Sequence, residues 1–442
     1  MNSMSSYKST RLSGNIEVPG DKSISHRALI IGSLVTGKLK INNLLESEDV
    51  IATANALKTL GLKINKINNV WEVFGNGIGN LSGSNHQLDL GNSGTGSRLI
   101  MGLIAGSDVK ATITGDASLS KRPMKRIIKP LLKTGAIFKD SNNDHLPITI
   151  KGSKIPLPIE YHSPVASAQI KSSILLAGLS STGNTTVIEP TLSRDHTERM
   201  LKCFGANISS TKMSDSSWKI TLEGLPDLKP FDIEIPSDPS SAAFPIIASL
   251  ITPNSNIKVL NVCVNDLRMG LYQCLIEMGA NISFSNRRQI NGEPVADISA
   301  SYSILNGITI PQSRVASMID EYPILSVAAI KAKGNTIMKG IEELRYKETD
   351  RISAMCEGLG LVGVNTIENK DSMVIEGKGP NCSLNGNLKI KSKLDHRIAM
   401  SFLCLGLITD NPIIVEDTNT INSSFPTFLQ TMNKIGAKLN QS

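Results

Sequence analysis

Seven short segments of this 442-residue chain hold the charged and hydroxyl side chains that could do chemistry. The first, Pro19-Gly20-Asp21-Lys22-Ser23-Ile24-Ser25-His26-Arg27, lies between Asn15-Ile16-Glu17-Val18, which alternates like a strand, and the apolar Ala28-Leu29-Ile30-Ile31. A helix is therefore predicted to begin after the Pro-Gly break, with unpaired N–H groups and a dipole that favour an anion. Lys22 and Arg27 add full charges; the plainer reading makes Ser23 an N-cap and Lys22 a solvated lysine. Gly91-Asn92-Ser93-Gly94-Thr95-Gly96-Ser97-Arg98 is predicted as a glycine-rich loop between the strand Leu88-Asp89-Leu90 and the helix Leu99-Ile100-Met101. Its glycines allow backbone amides to approach a ligand, although the spacing matches neither a Walker motif nor a full dinucleotide fingerprint. In Ser120-Lys121-Arg122-Pro123-Met124-Lys125-Arg126, one arginine could clamp a phosphate or carboxylate bidentately. Ser167-Ala168-Gln169-Ile170-Lys171 opens another apolar helix, with Ser167 as N-cap and Gln169 either within reach of a ligand or simply part of the first turn.

Carboxylates come from the second half. Asp320-Glu321-Tyr322-Pro323 opens the helix Ile324 to Ala329, and Arg345-Tyr346-Lys347-Glu348-Thr349-Asp350-Arg351 mixes acids and bases. On a helix, Lys347 and Arg351 would share a face while Glu348 and Asp350 project elsewhere; the bland alternative is a surface helix laced with ion pairs. Asp395-His396-Arg397 precedes the apolar Ile398-Ala399-Met400, and His396 taken alone reads as structural.

The elements that must position these segments form a repeat. An apolar residue, three further residues and a glycine leading into a strand recur six times, with glycines at Gly61, Gly135, Gly205, Gly279, Gly363 and Gly436, spaced 74, 70, 74, 84 and 73 residues apart. Each glycine stands where a helix C-cap needs the left-handed conformation; in the second copy Thr134 replaces the apolar residue found before the glycine elsewhere. The period suits about two helices of ~11 residues and four strands of ~5 residues. Six units suggest two domains of three: residues 21–237, and a discontinuous domain of residues 1–20 and 238–442.

Composition bounds the reading. Hydrophobic residues make up 40% and charged residues 19%, which suits a globular protein and not a disordered one. The apolar runs at 242–251 and 174–179 are too short to cross a bilayer, and the N-terminus lacks an apolar signal region. The net charge of +7 comes without a basic run or a nucleic-acid module, so small anionic substrates fit better. The six scattered cysteines lack metal-ligand spacing and are expected to be reduced and mostly buried. A cytoplasmic location follows as the expectation.

Taken in order, the seven segments resemble the 5-enolpyruvylshikimate-3-phosphate synthase family over essentially the full length. The likeness rests on Gly20 to Arg27, Gly91 to Arg98, Lys121-Arg122-Pro123-Met124, Ser167-Ala168-Gln169, Asp320-Glu321-Tyr322-Pro323, Arg345 to Arg351 and Asp395-His396-Arg397. It implies an α/β fold of two domains, each of three βαβαββ units with helices inside and sheets outside. The activity implied is transfer of the enolpyruvyl group of phosphoenolpyruvate to the 5-hydroxyl of shikimate-3-phosphate, with release of phosphate, on the route to chorismate. No metal or organic cofactor, nucleic acid or membrane is implied, and a monomer suffices. By motif, the resemblance assigns Lys22, Ser23, Arg27, Ser167, Ala168, Gln169, Asp320 and Lys347 to shikimate-3-phosphate. It assigns Lys22, Gly94, Arg122, Gln169, Arg351 and Arg397 to phosphoenolpyruvate. Asp320 would be the base for the hydroxyl, Glu348 the proton donor to the methylene carbon, and Lys22 would assist phosphate departure.

The chain is similar to the subgroup with Ser-Ala-Gln, since Ala168 stands where many members carry serine, and Ser423-Ser424-Phe425-Pro426 replaces a lysine-containing segment. Some of that subgroup tolerate glyphosate, a competitor of phosphoenolpyruvate, but Gly94 lacks the methyl group that tolerant members can place against it, so sensitivity is left open. The related UDP-N-acetylglucosamine enolpyruvyl transferases carry asparagine after the first lysine and a reactive loop cysteine; here Ser23 follows Lys22 and the first cysteine is Cys203. A non-catalytic anion-binding protein would have no use for Asp320 and Glu348, which repel phosphates.

Overall fold

The computed structural model describes residues 3–82, 84–139 and 144–441, and the chain divides into two compact units. One consists of Gly20–Ile235 with Ile290–Glu293; the other consists of residues 1–19, Pro236–Gln289 and Pro294–Ser442. The first unit contains helices α1 (Lys22–Gly32), α2 (Glu48–Thr59), α3 (Gly94–Ala105), α4 (Lys125–Leu132), α5 (Ala168–Gly178) and α6 (His196–Cys203). The second contains α7 (Pro239–Ile251), α8 (Gly270–Glu277), α9 (Tyr322–Ile330), α10 (Arg351–Leu361), α11 (His396–Gly406) and α12 (Phe428–Lys434).

Odd and even helices differ for a reason visible in their sequences. The odd ones are apolar nearly all round, as in Tyr322-Pro323-Ile324-Leu325-Ser326-Val327-Ala328-Ala329-Ile330, where every residue is buried; such a helix belongs in a core. In the first unit α3 packs against both α1 and α5, and in the second α7, α9 and α11 pack on one another. Even helices such as α6 and α10 bury one side only.

Each unit also holds three four-stranded sheets. Strand Thr36–Asn42 alternates exposed and buried positions toward its end, the mark of a sheet with one face on the core. Every sheet has one parallel pair at one side. In four sheets a buried odd helix joins that pair, for example Ser84–Asp89, α3 and Lys110–Thr114. In the other two the pair is remote in sequence: Ile233–Glu234 lies beside Thr36–Asn42, and Ser13–Ile16 beside Asn256–Cys263. In the first unit Ile233–Glu234 is laid down last, just before the chain leaves, whereas in the second unit Ser13–Ile16 is laid down first and is joined by Asn256–Cys263 only when the chain returns. The N-terminal strand Met4–Tyr7 likewise completes the last sheet, between Ile413–Glu416 and Lys438–Gln441.

All six repeat glycines have φ between +85° and +101°, the left-handed region that favours glycine. In five copies the amide after the glycine donates to the carbonyl five residues back, as Leu62 to Leu57 and Ala206 to Leu201, which is the Schellman closure. The exception is the copy with Thr134, where the Leu131 carbonyl takes the Thr134 amide at 3.1 Å and its hydroxyl at 2.7 Å. The hydroxyl explains why this copy departs from the pattern. Of the six free cysteines only Cys263, Cys274 and Cys404 are buried, so the expectation of mostly buried thiols holds for half of them. Among the described residues no helix is long and apolar enough to cross a membrane.

Candidate active site

Lys22, Ser23, Gly94, Ser167, Ala168, Gln169, Arg351 and Arg397 sit at helix N-termini, where the first amides face outward without intrahelical partners. At α1 the cap is Asp21, whose carboxylate accepts the Ile24 amide at 2.8 Å. Ser23 is thereby relieved of the capping role open to it, and Lys22 pairs with Asp49 Oδ2 at 2.5 Å instead of lying in solvent. Arg27, one turn on, is 3% exposed. Its Nε donates to Thr197 Oγ1 at 2.7 Å, Nη1 to the Ser23 carbonyl at 2.9 Å and Nη2 to Ser172 Oγ at 2.9 Å.

The glycine-rich segment is not a loop up to Arg98. Helix α3 starts at Gly94, because Ser93 caps it by accepting the Gly96 amide at 3.0 Å. Gly96 is needed for packing, since a Cβ there would fall 2.5 Å from Thr53 Oγ1, whereas one on Gly94 would meet the guanidinium ends of Arg122 and Arg98. Arg122 is held by Asn92 Oδ1 at 2.5 Å and Ser118 Oγ at 3.3 Å. Arg98 donates to Gln169 Oε1 at 2.8 Å, while Gln169 Nε2 donates to Thr95 Oγ1 at 3.1 Å. Gln169 lies in the first turn of α5, which Ser167 caps through the Ile170 amide and which begins at Ala168. Gly94, Arg122 and Gln169 therefore surround one helix start, whereas Arg27, which also holds the Ser23 carbonyl, is tied to α5 and α6 farther along.

The second unit gathers its predicted residues around one buried cation. Arg351 is 1% exposed in its side chain and pairs with Asp395 through Nε at 2.8 Å, with Glu348 through Nη2 at 2.6 Å, and with Asp320 Oδ1 at 3.6 Å. Lys347 reaches the same Asp320 oxygen at 3.6 Å. Burial pulls this guanidinium down, but Asp395, Glu348 and Asp320 outweigh it and raise the group above its ordinary value. Asp395 also caps α11, accepting the amide of Arg397 at 2.8 Å. Arg397 thus enters the cluster through its backbone at a helix start.

The single helix expected over residues 345–351 is not formed. Residues Glu342–Tyr346 make a short 3-10 turn, Lys347 is extended, and α10 begins only at Arg351, where Asp350 accepts the Ser353 amide at 3.1 Å. Glu348 and Asp350 consequently do not project away: Glu348 turns onto Arg351, and Asp350 takes Arg345 at 2.6 Å. His396 is buried, with Nδ1 3.3 Å from Ser423 Oγ, a structural placement.

Several contacts of these residues were not singled out from sequence. Asn92 and Arg98 lay inside a quoted segment, so their polar types were the available signal. Asp49, Thr197 and Ser172 gave none, since each occupies an ordinary helical position and becomes informative only through the partner folded against it. Each unit by itself offers fixed cations that suit anions, and the second adds carboxylates of the kind that move protons.

The chain as a whole has counterparts. A curated 3-phosphoshikimate 1-carboxyvinyltransferase of Bartonella henselae is 50% identical over 436 residues, covering 99% of this chain and 98% of that protein. One from Parvibaculum lavamentivorans is 50% identical over 98% of this chain and 96% of its own length. The structure of EPSP synthase from Acinetobacter baumannii superimposes with a TM-score of 0.87 at 40% identity over the whole of both chains. The enolpyruvyl transferase NikO from Streptomyces tendae, 15% identical with a TM-score of 0.79, shares the fold. The model of the EPSP synthase (3-phosphoshikimate 1-carboxyvinyltransferase) family matches residues 6–432, and with likeness in sequence and structure reaching from end to end the chain belongs to that family.

Proposed function

We propose that the chain transfers the enolpyruvyl group of phosphoenolpyruvate to the 5-hydroxyl of shikimate-3-phosphate, giving 5-enolpyruvylshikimate-3-phosphate and phosphate. The observation that carries this reading is identity of 50% to a 3-phosphoshikimate 1-carboxyvinyltransferase along 99% of the chain. Ser23, Arg27, Ser167, Gln169 and Lys347 hold shikimate-3-phosphate with Lys22, and Ala168 contributes its backbone. Arg122, Gln169, Arg351 and Arg397 hold phosphoenolpyruvate with Lys22, beside the backbone of Gly94.

In the addition step Asp320 takes the proton of the 5-hydroxyl as that oxygen bonds to the central carbon of phosphoenolpyruvate, and Glu348 delivers a proton to the methylene carbon. In the elimination step the methyl group of the tetrahedral adduct returns a proton to Glu348, the carbon–oxygen bond to phosphate breaks, and Lys22 meets the charge on the departing phosphate. The contact of Asp320 with Lys347 and Arg351 supports its role, because the two cations hold the carboxylate in place. The same reading makes the chain a cytoplasmic monomer working on small anions without metal or organic cofactor.

The test is phosphate release from phosphoenolpyruvate that depends on added shikimate-3-phosphate. Asp320→Ala should lower kcat by at least about 100-fold, the lower range of general acid–base contributions, while phosphoenolpyruvate-site occupancy in equilibrium binding persists. Turnover by Asp320→Ala at the wild-type rate would remove it from the mechanism, and no release from the wild type would remove the function.

A further inference from the structure

The buried guanidinium of Arg27 is held by an unusual set of partners. Three of its five N–H groups go to neutral oxygens: the Ser23 carbonyl, the Thr197 hydroxyl and the Ser172 hydroxyl. The two hydroxyls lie 2.6 Å apart, so one donates to the other while both accept from Arg27. Thr197 is the second residue of α6, and Ser172 lies one turn beyond Gln169 on α5. We propose that Thr197 and Ser172 are positioning residues that fix the Arg27 guanidinium for shikimate-3-phosphate, an inference that rests on the function proposed above.

The physical reason is the neutrality of both partners. A carboxylate in either place would fix the guanidinium equally well but would cancel its charge and compete with an anionic substrate. The nearby Glu198 is engaged by the buried Lys171 Nζ at 2.7 Å. Burial pulls Arg27 down to about 10, against the opposing pull of Glu198, so the group remains charged near neutrality. Two N–H groups, one on each terminal nitrogen, remain beyond those three bonds, enough for a bidentate contact with an oxyanion.

Thr197→Val keeps the shape and removes the acceptor, whereas Thr197→Ser keeps the acceptor. The expected result for Thr197→Val is a rise of about tenfold in KM for shikimate-3-phosphate, the size of a lost charge-assisted hydrogen bond. KM for phosphoenolpyruvate and kcat should stay within about threefold, and Thr197→Ser should return to the wild-type value. Ser172→Ala repeats the test through the other hydroxyl. Unchanged KM for shikimate-3-phosphate in both Thr197→Val and Ser172→Ala, or a serine variant no better than valine, overturns the proposal.

A second readout needs no turnover. In protein labelled with 15N-arginine, the Arg27 Nε–H signal, identified by its loss in Arg27→Lys, should exchange slowly with solvent in the wild type and Thr197→Ser and quickly in Thr197→Val. Equal exchange in all three overturns the positioning claim. The expected exchange pattern in a protein that releases no phosphate would instead refute the proposed function and leave the Arg27 contacts standing.

Discussion

Adding one methyl group at Gly94 should separate substrate binding from stability. An ideal Cβ there lies 3.0 Å from Arg122 Nη1 and 3.1 Å from Arg98 Nη1, against an ordinary contact that starts at 3.4 Å, so each guanidinium must give by a few tenths of an ångström. Both are ends of long side chains, and the helix gains from exchanging glycine for alanine by up to about 1 kcal/mol, so folding is not the casualty. Arg122 cannot move without disturbing its short contact with Asn92. A charge-assisted hydrogen bond is worth about 1.5–3 kcal/mol, and losing roughly half of one corresponds to about 0.8–1.5 kcal/mol. That converts to an increase of about 4- to 12-fold in KM for phosphoenolpyruvate. The assay is steady-state phosphate release with phosphoenolpyruvate varied at saturating shikimate-3-phosphate, then the reverse, with a thermal midpoint alongside. KM for shikimate-3-phosphate serves as the internal control and should move by less than about threefold. A phosphoenolpyruvate KM within about twofold of wild type, or an equal rise for both substrates, would refute the reasoning.

Two further outcomes test the site as a folded object. Asp395→Ala should destabilise the protein by about 4–6 kcal/mol in urea unfolding, combining about 1 for the lost α11 cap with about 3–5 for the partner removed from buried Arg351. Asp395→Asn, which keeps an acceptor for the Arg397 amide, should recover about 1 kcal/mol, and equal losses in the two variants would contradict the dual role. Burial, with Lys22 and Arg27 beside it, holds the His26 imidazole well below its ordinary value. The folded state therefore excludes a proton that the unfolded chain binds below pH ~6.5, so stability from this group is present above that value and lost as the pH falls toward its folded pKa. The thermal midpoint of the wild type should accordingly drop more steeply between pH ~7.5 and ~5 than that of His26→Gln; parallel curves would count against it.

The repeat was readable in the chain because its signal is local. A left-handed residue after a helix is a matter of backbone sterics at one position, so six glycines at near-equal spacing mark six helix ends before any contact is known. Thr134 shows the limit of such a signal, since its hydroxyl changes the capping bonds without removing the glycine. Apolar runs marked the buried helices for the same local reason, and the polar segments at their beginnings marked where N–H groups meet charged side chains.

The run from Arg345 to Arg351 shows why the rest was not readable. Charges three and four apart suggest a helix face, yet Asp350 caps α10 late and the preceding residues turn, because Arg351 must enter a buried pocket of carboxylates drawn from distant positions, Asp320 and Asp395 among them. Likewise, nothing about Thr197 as a residue in a short helix announces that it receives Arg27, 170 positions away. Residue types and their order determined the chemistry available to this chain, the ends of its helices and its family likeness. Which oxygen faces which guanidinium was decided only by tertiary packing, since long-range pairs are selected by burial and satisfied hydrogen bonds, properties that no single segment possesses.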